Sequence, residues 1–197
     1  MTEATTEAVA PATRAPLKLL GIFLVGAAVS VALGVYGGVH DPTYETPYKL
    51  FFTSTLSFKV WFATIAVGFA CVQLYTALRL YGKVHVPKEL PPWWGDLHRL
   101  SGTLAFGFSL PVVYQCLWAL GFSATGSNGV SSTRVLVHCT LGCIVYGMFV
   151  IKVLSVRVRG LPGWTLPVVG GITFAALVGV WTTSAVWYWK EIGFPGL

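Results

Sequence analysis

Two histidines stand in the same local setting forty residues apart. Residues 96–107 read DLHRLSGTLAFG and residues 136–147 read LVHCTLGCIVYG, so His98-Gly102-Gly107 and His138-Gly142-Gly147 share one spacing. Each histidine opens a long apolar run. A residue four positions beyond a histidine shares its helix face, and a glycine there leaves bare backbone beside the imidazole. A flat macrocycle can lie against such a surface, and imidazoles are common axial ligands of haem iron. Facing helices of a bundle are a usual place to build cofactor sites. The pattern points to haem b, with His98 and His138 as axial ligands to the iron and Gly102 and Gly142 against the porphyrin. The plainer reading of the same residues is a hydrated His98 beside Arg99, a His138 bonded to a neighbouring helix, and glycines that only let helices approach.

The elements that must position these groups follow from composition. The chain has 197 residues, 55% hydrophobic and 10% charged, with a mean hydropathy of +0.71, whereas a soluble domain carries about a quarter charged residues. Five runs, at 17–39, 57–80, 98–122, 134–155 and 164–188, approach or exceed the roughly 20 residues needed to cross a bilayer. The expectation is an all-α polytopic membrane protein: five transmembrane helices in an antiparallel bundle over 17–189. A disordered tail at 1–16 precedes it and a short tail at 190–197 follows. The first run is too long for a signal h-region and lacks a small-residue cleavage pattern. Small residues spaced by four (Gly34/Gly38, Ser101/Ala105/Ser109, Cys139/Cys143/Gly147, Gly171/Ala175/Gly179) predict close helix approach. Pro111 predicts a kink in the third helix, GLPGW at 160–164 a tight turn, and SATGSNGVSS at 123–132 a flexible loop.

Charge sets the orientation. With a cytoplasmic N-terminus, Arg14, Lys18, Arg79, Lys83, Lys88, Arg99, Lys152, Arg157 and Arg159 lie inside, against Lys49, Lys59, Arg134 and Lys190 outside. The positive-inside rule then places the N-terminus in the cytoplasm and the C-terminus outside, in a bacterial cytoplasmic membrane. Trp93, Trp94 and Trp164 mark one interface and Trp187 and Trp189 the other. The net charge of +6 is spread over separate loops, which suits anionic headgroups and argues against a nucleic-acid partner.

Depth sorts the four histidines. His98 lies near the inner face and His138 about one turn below the outer face. A hydrocarbon core roughly 30 Å thick keeps them from serving one iron. His85 falls on the inner side and His40 on the outer, so each is the candidate second ligand on its side. Arg99, at the inner mouth, is a candidate for a haem propionate, since a guanidinium suits a carboxylate.

The remaining chemistry is sparse. All seven Asp and Glu fall in tails, loops or helix ends. Ion-coupled transporters usually keep an ionisable group inside the bundle, so solute transport is disfavoured. No catalytic set is present. Of the cysteines, Cys71 reads as a packing residue. Cys116, Cys139 and Cys143 share the outer half of their helices and are read chiefly as packing. A Cys116–Cys139 disulfide and a soft-metal site from His138, Cys139 and Cys143 are the minor readings.

WGDLHRLSGTLAFGFSLPVVYQCLWALGF, RVLVHCTLGCIVYGMFVIKVL and LPGWTLPVVGGITFAALVGVWTTSAVWYW together resemble a family of small, functionally uncharacterised bacterial five-helix membrane proteins, over about residues 57–189. More distantly, His-Arg-x-x-Gly at a helix entrance is similar to transmembrane b-type cytochromes of the ferric-reductase kind. That likeness implies electron transfer directed at a quinone or a metal. Members of the small family often carry His where this chain has Gln115, about 25 Å up the third helix from His98, which removes one source of a second ligand for an outer haem.

Two functions follow as expectations. One is an integral b-type cytochrome-like electron carrier working with a redox partner protein or quinone, any reductase chemistry residing in a partner subunit. The other is a haem-free membrane anchor or assembly subunit whose working surfaces are the loops at 40–56 and 81–97.

Overall fold

The computed structural model describes residues 14–45, 48–122, 132–194 and 196. It is helical throughout, with no strand among the described residues: α1 (Arg14–Val39), α2 (Thr55–Leu80), α3 (Trp94–Gln115), α4 (Thr133–Arg157), α5 (Thr165–Trp181) and α6 (Trp187–Glu191). A π-helical turn, Cys116–Leu120, prolongs α3, and another, Thr182–Val186, joins α5 to α6. The five continuous helices are each long and apolar enough to cross a bilayer. The expected runs are matched within a few residues at most ends. The third begins earlier, at Trp94, so His98 sits one turn inside its helix. Residues 1–13, and 123–131 of the expected flexible loop, lie outside the described residues; 14–16 of the expected tail are helical.

Local chemistry explains the ends. Ser54 caps α2 by accepting the Ser57 amide at 3.0 Å, which satisfies one of the orphan donors of a helix start. Asp96 occupies the first turn of α3, where an acid complements the helix dipole. Gly160, at φ +82°, opens the turn into α5 in a conformation that favours glycine.

α2 packs against α3 and α5, and α4 against α5 and α1. The closest approach is between α1 and α4, a contact that lets backbones rather than side chains meet. A Cβ added at Gly26 would lie 2.7 Å from the Gly147 carbonyl oxygen, and one at Gly147 would overlap the Ser30 hydroxyl. Ser30 itself donates to the Cys143 carbonyl at 2.9 Å. Of the expected small-residue rows, Gly147 and Gly179 are close-packed. Gly38 and Gly171 face open space, and Gly26, absent from those rows, carries the contact instead.

Between α3 and α4 the centre of the bundle is bridged by side chains. The Tyr146 hydroxyl bonds the Ser109 carbonyl at 3.1 Å and meets its hydroxyl at 3.0 Å. The rings of Phe106 and Phe149 stack with centroids 4.0 Å apart and planes 5° from parallel. On either side of this bridge lies a cavity of about 390 Å³, and Ser109, Val145 and Leu177 line both.

Overpacking a helix contact costs about 1–3 kcal/mol. Gly26→Leu and Gly147→Leu are therefore expected to lower the thermal midpoint of the detergent-solubilised protein. Gly38→Leu, which meets nothing within 4 Å, leaves it unchanged, as a scanning fluorimetry series will show.

Candidate functional site

Each cavity holds one of the repeated histidines, and each histidine is held in the same way. His98, in the second turn of α3, places Nδ1 2.9 Å from the Thr76 hydroxyl of α2. That hydroxyl spends its one hydrogen on the Gln73 carbonyl at 2.9 Å, so its oxygen must accept from Nδ1–H. His138, in the second turn of α4, places Nδ1 3.2 Å from the Val180 carbonyl and 3.0 Å from the Thr183 hydroxyl. A carbonyl only accepts, and the Thr183 hydroxyl donates to the Gly179 carbonyl at 2.8 Å. In a neutral ring, an Nδ1–H donor satisfies both sets of partners and leaves Nε2 with its lone pair, the form in which imidazole ligates a metal. Partners of this kind orient ligating histidines. Thr76 is fully buried, and Trp94 donates to its carbonyl at 3.3 Å. Trp94, expected at an interface, is instead a buried part of this support.

The two cavities differ in their other walls. The His138 cavity is lined by Lys59, Cys116, Arg134, Cys139, Gly142 and Cys143, with apolar residues around them. Cys116, Lys59 and His138 line this one space together. The His98 cavity is lined by Gln73, Lys83, Gly102, Phe106, Phe149 and Lys152, again among apolar residues.

The glycines part company here. Gly142 has open space where a side chain would begin, so backbone is bare to the cavity, as the spacing predicts. At Gly102 the Gln73 amide already fills that space. The second glycines of the repeat have no shared role: Gly107 is exposed, whereas Gly147 packs on α1.

Three expected site residues stand elsewhere. His40 lies between the rings of Tyr36 and Trp118, at 5.0 and 4.8 Å, with Nε2 3.3 Å from the Trp118 carbonyl, and lines neither cavity. His85 is exposed in its loop and lines neither. Arg99 is exposed and paired with Asp96, and also lines neither. Each cavity therefore has a single imidazole. Gln115 is fully buried, its amide donating to the Tyr48 carbonyl at 2.9 Å while its Oε1 has no partner. It is the adjacent Cys116 that lines the His138 cavity, because neighbouring helical residues point about 100° apart. All four cysteines are free, which removes the disulfide reading. No group of three His, Cys, Asp or Glu side chains among the described residues could hold a metal ion, which removes the soft-metal reading. Sequence reasoning missed Thr76, Thr183, Lys152 and Gln73. Helical threonines usually bond their own backbone, and nothing in the spacing distinguishes these two from the rest.

These features define an apolar helical-bundle protein with two cavities, one on either side of the Tyr146–Ser109 bridge, each presenting one hydrogen-bonded imidazole. The chain belongs to DUF6529, a family of unknown function whose model matches residues 19–196. No curated protein and no solved structure matches it. The resemblance to b-type cytochromes has no support in these comparisons.

Removing a buried hydroxyl partner costs about 1–3 kcal/mol. Thr76→Val and Thr183→Val are each expected to destabilise the protein by that order, and to shift the ¹⁵N signature of the matching imidazole from pure Nδ1–H toward a mixture. Thr173→Val, which removes only a bond to its own helix at 2.7 Å, leaves both imidazoles unchanged.

Proposed function

We propose that this protein is a membrane-embedded, b-type cytochrome-like electron carrier, with His98 and His138 each holding one haem in a separate leaflet. The observation that carries the reading is the repeated tether, in which a threonine bonded to its own helix backbone holds Nδ1 and leaves Nε2 as the free ring nitrogen of each cavity. A volume of about 390 Å³ falls in the range of cofactor pockets. Gly142 offers the bare backbone a macrocycle can lie on, and the flexible end of Gln73 is what must swing from Gly102.

Haem, when bound, supplies one-electron chemistry. The protein's part is to fix each imidazole, to exclude water with the apolar walls, and to separate the sites by the layer of Phe106, Phe149, Tyr146 and Ser109. The bundle sits in the bacterial cytoplasmic membrane with its N-terminus inside. His98 then lies toward the cytoplasm and His138 toward the outside, and electrons pass in steps to a quinone or a partner protein.

One observation favours a second reading. Gln73 occupies the space at Gly102, and each cavity brings only one imidazole, as suits a haem-free anchor or assembly subunit with tethered structural histidines.

Purified protein from haem-supplied cells separates the two. The carrier shows Soret and α bands that shift on dithionite reduction. His98→Ala and His138→Ala each lower the haem-to-protein ratio by one haem, and the double variant is colourless. A colourless wild type, or a double variant with unchanged haem, overturns the proposal in favour of the anchor. Orientation is read separately in spheroplasts of a cysteine-free variant. An impermeant maleimide is expected to label Thr53→Cys and to leave Val84→Cys unlabelled.

A further inference from the structure

Among the described residues, each cavity is lined by two cations and by no carboxylate. Lys59 and Arg134 line the His138 cavity, and Lys83 and Lys152 the His98 cavity. Asp41, Glu45, Glu89, Asp96 and Glu191 are all described, and none lines either space. The only ion pair among the described residues, Arg99 with Asp96, lies outside both. Lys59, Arg134 and Lys152 are half-buried and Lys83 is exposed at the rim, so an anion entering either space meets two positive charges.

The placement is as particular as the charge. Arg134 opens α4 one turn before His138, its guanidinium 3.9 Å from the Trp187 ring centroid and donating to the Thr183 carbonyl at 2.7 Å. Thr183 is also the tether of His138, so one residue fixes both the cation and the imidazole. Lys59 stands one turn into α2 at the same end. At the other end, Lys152 lies in the last turns of α4 and Lys83 just beyond α2. In both cavities the charges gather toward the helix ends, and the apolar layer of Val145 and Leu177 closes the deep side. A ligand that fits has an apolar body for the floor and two anionic groups for the mouth.

We infer that Lys59 with Arg134, and Lys83 with Lys152, are carboxylate-recognition pairs, and that the ligand of each cavity is an amphipathic dicarboxylate. This rests on the haem reading, in which the two propionates are those carboxylates, and it moves the role expected of Arg99 onto these four residues. A single-chain anion such as a fatty acid fills one cation and leaves the other unmatched.

The test is a titration of haem-stripped, full-length protein in neutral detergent with haemin and with haemin dimethyl ester, followed by the Soret band. The His98 site is read in His138→Ala and the His138 site in His98→Ala. A charge-assisted hydrogen bond exceeds a neutral one in strength, so haemin is expected to bind each site roughly tenfold or more tightly than its diester. Lys83→Gln/Lys152→Gln and Lys59→Gln/Arg134→Gln abolish that preference, read as the ratio of haemin to diester affinity, at their own site. Lys152→Arg and Lys59→Arg, which keep the charge, retain the preference and guard against a folding defect. Equal affinity for haemin and diester in the wild type, or an undiminished preference in the glutamine variants, overturns the inference while the haem reading stands. If neither porphyrin binds, the haem reading fails and takes the inference with it.

Discussion

A neutral imidazole among apolar helices has one hydrogen to give and few groups to receive it. The architecture of both cavities depends on how that hydrogen is placed. In each case the receiver is a threonine on the neighbouring helix whose own hydrogen is committed to a backbone carbonyl one turn back, joined at His138 by the Val180 carbonyl. Such a hydroxyl offers its oxygen to the ring, which suits an Nδ1–H donor. The same bond ties α3 to α2 and α4 to α5, which are major packed pairs of the bundle. One set of atoms thus joins the helices and orients the imidazoles.

The second constraint is the division of the interior. Continuous packing between α3 and α4 would leave no space, and a continuous gap would leave one channel. Instead Tyr146 reaches Ser109, and Phe106 stacks on Phe149, closing the middle and leaving one space at each end. The tyrosine hydroxyl meets its hydrogen-bonding need inside the bundle, as polar groups in an apolar medium must. The result is two compartments, one toward each end of the bundle, and none of the described Asp or Glu residues lines either.

Much of the fold was legible in the amino-acid sequence. Five long apolar runs predict five long helices, because a segment of that length and composition has few other ways to satisfy its backbone. His98 and His138 were legible as a pair because their spacing to Gly102 and Gly142 repeats. The rest of the candidate site was not. Sidedness alone grouped His85 with His98 and His40 with His138, but a loop or a helix end carries no rule for where its side chain turns. His40 is spent on Tyr36 and Trp118, and Arg99 on Asp96. Gln115 and Cys116 are neighbours in the chain, yet only Cys116 reaches the cavity.

What the chain by itself determined is the number, length and order of the helices, and the placing of one histidine near an end of each of two consecutive ones. These are properties of local composition, which acts through residues close in the chain. Tertiary structure alone decided that Thr76 and Thr183 are the partners, that Lys59, Lys83, Arg134 and Lys152 face the cavities, and that Gly26 rather than Gly38 meets α4. Each depends on the rotation of one helix against another. That rotation is set by packing across the whole bundle, and a turn of about 100° per residue is enough to send adjacent side chains to different surroundings.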